Sequence, residues 1–269
     1  MSDYRIKKSR RIIALVAFIF MLIINFLANA LPLNGQTTAQ ISDAYPTLFA
    51  PVGFTFAIWG IIYLLLLLFV LELFNVFKTA ADQINQALLD RISPLFTISS
   101  ISNGLWIFAW RYHQLALSLL LMIGVLLPLM WINLLLAKQM MNRRDSLLIR
   151  LPFSVYFGWI TVATIANLSA YLVSINWLGY GQTPEFWTSA VLVIGMVIGT
   201  ITIITNNDMA YGLVFDWAYF GIWFKHVSAQ YYNFQYPMII ISTIISLVMI
   251  TITIIYVFFA KKTPGTNND

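Results

Sequence analysis

The sequence predicts an all-α integral membrane protein that crosses the bilayer about eight times. Three observations carry that prediction. Of 269 residues, 60% are apolar and only 9% charged, with a mean hydropathy of +0.82, whereas a soluble domain carries roughly 25% charged residues. Apolar runs of spanning length recur along the whole chain, and the basic residues gather in alternate connections. A charge deficit this deep excludes a soluble enzyme and a disordered tail.

A spanning helix needs about 20 mostly apolar residues. The runs that qualify lie at roughly 11–31, 53–76, 93–110, 115–137, 147–173, 187–206, 210–224 and 237–260. The third is short and carries Thr97, Ser99, Ser100, Ser102 and Asn103. The seventh is about a turn short and holds Asp216. The first follows a basic tail and ends in Ala28-Asn29-Ala30, which imitates a signal peptide. Its apolar run is long for that role, so it reads as a retained span, and cleavage would leave the other helices' direction unchanged.

Basic loops stay cytoplasmic. Arg5, Lys7, Lys8, Arg10 and Arg11 precede the first span, and Lys78 and Arg91 lie between the second and third. Lys138, Arg143, Arg144 and Arg150 separate the fourth from the fifth, and Lys261 and Lys262 close the chain. With eight spans, 13 of the 15 basic residues share one side, leaving Arg111 and Lys225 on the other. Both termini are therefore expected in the cytoplasm, and the bilayer is expected to be a bacterial plasma membrane. The one long connection, residues 32–52, then faces outward. It holds no Lys or Arg, and a loop of that length is more often functional than a mere link.

Three spans carry aromatic and amide residues on one face each. Phe56, Trp59 and Tyr63 follow an i, i+3, i+7 spacing on the second. Ser99, Asn103, Trp106 and Trp110 form a row on the third. Trp159, Ala163, Asn167 and Tyr171 form a row on the fifth, with Tyr156 and Thr164 beside it. The directions of the spans bring these faces to similar depth beneath the long outer loop. An aromatic-walled cavity with a few polar groups suits a flat amphipathic ligand, which the amides would orient. The alternative is that Trp and Tyr form interfacial belts, the reading that fits Trp177 and Trp187, while Asn and Ser bond neighbouring helices.

At these segments the chain resembles the translocator protein family (TspO/MBR, the tryptophan-rich sensory proteins). Phe49 to Tyr63, with Pro51, Gly53, Phe54, Phe56 and Trp59, is similar to the family's F-x-P-P-G-W-x-F-x-x-x-W-x-x-L-Y, one residue shorter. Asn103-Gly104-Leu105-Trp106, followed by Phe108 and Trp110, resembles N-x-x-W-x-x-x-F. Pro152 and then Trp159, Ala163, Thr164 and Asn167 resemble P-Y-x-x-W-x-x-x-A-T-x-x-N. The resemblance covers roughly residues 10–178. It implies a five-helix bundle, often dimeric, that binds porphyrins and other flat hydrophobic ligands under its first loop. Residues 179–269 are then an extension of three helices.

By matching position, the resemblance implies a ligand site of Pro51, Phe54, Trp59, Asn103, Trp106, Trp110, Trp159, Ala163 and Asn167, flanked by Tyr63 and Tyr171. Porphyrin or haem is then a ligand rather than a cofactor. The porphyrin-degrading chemistry of some members depends on loop tryptophan, and residues 32–52 contain none. Binding carries over better than catalysis, and no catalytic residue is expected.

Outside that core, Gly195 and Gly199 form a G-x-x-x-G that permits close helix contact, within the chain or in a homodimer. Asp216 is a functional candidate by its depth, and proton-coupled transport through it is the alternative reading. A porphyrin-modifying enzyme and a ligand-free scaffold are weaker alternatives. Glu72 is expected to reach toward Lys78, Asn206-Asn207-Asp208 to form a turn and cap, and His113 and His226 to be solvated at outer helix ends. The chain has no cysteine, nucleophile-elbow, P-loop or H-E-x-x-H motif. No metal site and no nucleic-acid partner is expected, since the short basic tails read as orientation signals.

Overall fold

The computed structural model describes residues 6–30, 35–36, 38–77 and 86–260. Arg5, Lys78, Lys261 and Lys262, which entered the charge argument, lie outside the described residues. Eight long helices follow the eight apolar runs: α1 Lys8–Ala30, α2 Ile58–Leu73, α3 Gln86–Arg111, α4 Leu115–Ala137, α5 Leu151–Ser174, α6 Pro184–Asn206, α7 Met209–Val227 and α8 Pro237–Ala260. Seven are long and apolar enough to cross a membrane. The exception is α7, whose 19 residues include Asp216, Lys225 and His226, so "about eight" spans becomes seven by length and composition.

The chain divides into two compact units: residues 1–47 with 56–177, and residues 48–55 with 178–269. The second unit therefore includes Leu48–Thr55, from the end of the long loop, as well as the three C-terminal helices.

In the first unit, α3 packs on α1 and α4, α4 packs on α5, and α2 touches α5 and α1. Gly104 makes the α1–α3 contact possible: a Cβ there would run into the Phe20 ring. α3 starts two turns before its apolar run and contains Pro94. A proline has no N–H to bond the carbonyl four residues back, and the Asp90 carbonyl left over accepts from Arg10 Nη1 at 2.9 Å. Arg10 also pairs with the Asp90 carboxylate at 2.5 Å.

At the same end, Glu72 is fully buried and pairs with Arg144 at 2.8 Å; Lys78, toward which it was expected to reach, lies outside the described residues. Arg144 precedes a π-turn, Ser146–Arg150, that runs straight into α5. At the opposite end, Arg111 is fully buried and donates to the Ala28 carbonyl in the last turn of α1. A cation there meets the negative end of the helix dipole. One of the two basic residues expected on the outer side is thus a clamp between helices.

In the second unit, α6, α7 and α8 pack on one another, with α7 antiparallel to both of the others. Phe215 fills the space left by Gly199, and the Tyr219 hydroxyl donates to the Leu192 carbonyl at 2.9 Å, which sets the α6 register. Ile254 packs on Gly212, and the Thr251 hydroxyl donates to Asp216 at 3.0 Å, which sets the α8 register. The G-x-x-x-G is thereby used within the chain. Asn207 adopts a left-handed conformation (φ +50°), and Asp208 caps α7 by accepting from the Tyr211 N–H at 3.1 Å.

Residues 48–55 cross α7 near Gly221. Val52 N–H donates to the Gly221 carbonyl at 3.3 Å, and the Trp217 indole donates to the Thr55 carbonyl at 2.9 Å. A Cβ on Gly221 would collide with Thr55 Oγ1. Overpacking of this kind costs about 1–3 kcal/mol. Gly104→Val and Gly221→Val are therefore expected to lower thermal stability in detergent, whereas Gly60→Ala, where a Cβ meets nothing, should leave it within about 1 kcal/mol of wild type.

Candidate ligand site

The aromatic faces of α2, α3 and α5 meet in the first unit, with Trp59 at the hub. Its ring lies 5.5 Å from Tyr63 and 6.4 Å from Trp106, both stacked, and edge-on to Tyr156 at 6.1 Å and Trp159 at 6.2 Å. Trp106 stacks on Trp110 at 5.7 Å, and Phe56 meets Trp159 edge-on at 5.7 Å. Tyr156 was placed only beside the α5 row by its spacing, yet it is fully buried within the cluster. The run Pro152–Val162 is buried on every side, so the sequence there shows no preferred face.

The two amides are committed to protein partners. Asn103 Oδ1 accepts from Asn25 Nδ2 of α1 at 2.9 Å, and the Asn103 side chain also bonds the Tyr156 hydroxyl. Asn25 is a lone polar residue in an apolar run, and nothing in the sequence pairs it with Asn103. Asn167 turns to α4, where it and Ser118 exchange hydrogen bonds of 2.9 and 3.1 Å. This corrects the expectation that both amides orient a ligand: Asn167 locks α5 to α4.

In the aromatic cluster itself, the buried polar atoms without a partner among the described residues are instead the indole N–H groups of Trp106 and Trp159, two of several such atoms in the protein. Both rings are about 5% exposed or less and touch Trp59. The third indole of the row, on Trp110, donates to the Thr38 carbonyl at 3.2 Å. This holds a short helix of the long loop, Thr38–Ala44, against α3. Tyr45, just beyond it, shares a 2.9 Å hydrogen bond with His113 Nδ1. The part of the loop at residues 38–45 therefore closes over the end of α3, one ring away from Trp106.

The remaining expected site residues have other neighbours or fewer. Pro51 and Phe54 are built into the second unit: Pro51 packs on Gly221, and Phe54 packs edge-on to Trp217 and Phe224 at 5.8 and 5.5 Å. Ala163 is half-buried on α5. Tyr171 lies twelve residues past Trp159, about 18 Å along the helix, and is a flanking residue at most. Asp216 lies on α7 in the second unit, where Oδ2 accepts from Thr251 and Oδ1 is buried without a partner among the described residues. Among the described residues no cluster of three His, Asp or Glu side chains could hold a metal ion.

Interhelical hydrogen bonds in membranes average about 0.6 kcal/mol and reach about 1.7. Ser118→Ala and Asn167→Ala are accordingly expected to be non-additive in a double-mutant unfolding cycle, with a coupling in that range. Strict additivity would show that α4 and α5 do not depend on the pair.

A family model described as TSPO-like protein matches residues 11–256. The match extends past the motif-bearing residues and takes in most of the three C-terminal helices. Neither a curated protein nor a solved structure matches the chain. With spans, motifs and matched length in agreement, the chain belongs to the TSPO-like protein family, as a multi-pass integral membrane protein.

Proposed function

We propose that the first unit binds a flat hydrophobic ligand of the tetrapyrrole class around Trp59, in a sensing or transport role. The observation that carries this reading is the pair of buried indole donors on Trp106 and Trp159. A buried donor left without an acceptor costs about 1–3 kcal/mol, and hydrocarbon offers no substitute partner. A ligand stacking on Trp59 and presenting carbonyl or carboxyl oxygens would satisfy both and displace ring–ring contacts of modest strength. Tyr63 and Trp110 flank the rings, while Asn103 sets the wall through Asn25 and Tyr156. The basic end formed by Arg10, Arg144 and Arg150 supports a cytoplasmic N-terminus, with the loop helix on the outer side.

The test is a titration of detergent-purified protein with protoporphyrin IX and with haem, read at the Soret band. Nine tryptophans make fluorescence quenching hard to assign. Trp106→Phe and Trp159→Phe keep a ring and remove one donor, and each is expected to weaken saturable binding roughly two- to tenfold. Trp159→Ala should cost more. Absence of saturable binding, or identical affinity in all three variants, would overturn the assignment.

A second reading rests on Asp216. An acid at membrane depth with an unpartnered oxygen is a candidate proton carrier. Under that reading, uptake into proteoliposomes depends on a pH gradient and is lost in Asp216→Asn. Gradient-independent uptake by that variant equal to wild type would discard it.

A further inference from the structure

His226, in the last turn of α7, was expected to be solvated and is instead fully buried. Its Nδ1 lies 2.9 Å from the Ile222 carbonyl, which can only accept, so Nδ1 carries the proton and donates. Nε2 is then a lone-pair acceptor, buried and without a partner among the described residues. Two tyrosine rings cover it, Tyr232 at 4.8 Å and Tyr236 at 5.9 Å, themselves edge-on to each other at 5.3 Å.

Both tyrosines belong to the connection between α7 and α8, residues 228–236. That segment is tied back onto the end of α7 by backbone bonds: Tyr232 N–H to the Lys225 carbonyl at 3.2 Å and Phe234 N–H to the His226 carbonyl at 2.9 Å. The tie holds two successive non-glycine residues at positive φ, Asn233 at +44° and Phe234 at +61°. For a residue as bulky as phenylalanine this is a strained conformation, and its ring is 64% exposed, with little packing to offset the strain. A buried proton acceptor thus lies directly beneath a strained closure.

We propose that His226 and residues 228–236 form an acid-responsive closure of the second unit, in which a proton taken up at Nε2 releases the segment from the end of α7. The new N–H has no acceptor in the closed form, so the charged imidazole gains by reaching water. The charged and titratable groups around it are Lys225 on the same helix, Glu185 in the first turn of α6, and Tyr232 and Tyr236 of the segment. Lys225 opposes a second positive charge. Glu185 would favour it, but its carboxylate already accepts from the Met238 N–H at 3.0 Å. Nothing in this inference depends on the ligand site of the first unit.

The sign follows from linkage. The closed form holds His226 neutral, whereas the open form binds the proton with ordinary affinity, near pH 6.5. Closure is therefore fully favoured above that pH and is lost as pH falls through and below it. With no proton bound in the closed form, the opening equilibrium rises up to about thirtyfold at pH 5.

Hydrogen exchange of the full-length protein in nanodiscs reads this directly, by following peptides covering 228–236 from pH 7.5 to 5 with correction for intrinsic rates. Wild type is expected to lose protection as pH falls. His226→Gln, which keeps a donor and cannot be charged, is expected to stay flat, and Glu185→Gln should retain the response. A flat wild-type profile, or a response surviving in His226→Gln, overturns the proposal. If His226→Gln does not fold, imidazole nitrogen resonances decide, because the chain has only two histidines and His113→Gln assigns the other. His226 becoming charged in step with opening supports the closure, and His226 remaining neutral while the segment opens overturns it.

Discussion

The structure depends on one constraint: a polar group placed between helices in hydrocarbon must find its partner inside the protein. Several of the helix contacts that build the first unit are fastened at such a group. Asn25 and Asn103 join α1 to α3, and Tyr156 adds α5 to the same node. Ser118 and Asn167 join α4 to α5. At one end Glu72 meets Arg144 and Asp90 meets Arg10, while at the other Arg111 meets the Ala28 carbonyl. Apolar packing gives little preference for one helix arrangement over another when lipid is as apolar as leucine. These few polar pairs therefore specify which helix lies beside which.

Several buried polar atoms depart from that rule. Among them, Trp106, Trp159, Asp216 and His226 each carry one with no partner among the described residues. Burying such atoms is costly, and the chain tolerates them at places with a chemical use for an open donor or acceptor. The two indoles face one aromatic hub and suit a ligand with acceptor oxygens. Asp216 and His226 lie on α7, and each suits a proton.

The second unit also explains why α7 reads as the weakest span. Its glycines admit neighbours on three sides: Gly212 toward Ile203 and Ile254, and Gly221 toward Thr55 and Pro51, while Phe215 enters the space at Gly199 of α6. A helix with much of its surface against protein need not be apolar all round, so it can carry Lys225 and several tyrosines on its buried side. Hydropathy measures suitability for lipid, and α6, α8 and residues 48–55 cover much of α7, leaving Leu213, Trp217 and Phe220 exposed. The same contacts involve Pro51 and Phe54, whose packing partners are Gly221, Trp217 and Phe224.

The sequence by itself determined the spans, their order, the basic end and the aromatic faces of α2, α3 and α5. All of these follow from composition and from the 3.6-residue period, which are local. It also held the meeting of Trp59, Trp106 and Trp159, because three rows at one depth leave few arrangements. Only the tertiary structure decided what each polar side chain meets. A position in the helical period fixes a direction around its own axis, not the neighbour found there. Asn167 therefore shares a row with Trp159 yet bonds α4. Asn25 and Tyr156 were hidden for related reasons, one standing alone in an apolar run and the other in a stretch buried on all sides. The burial of His226 was equally unreadable, since it depends on how the residues after α7 fold back over its end.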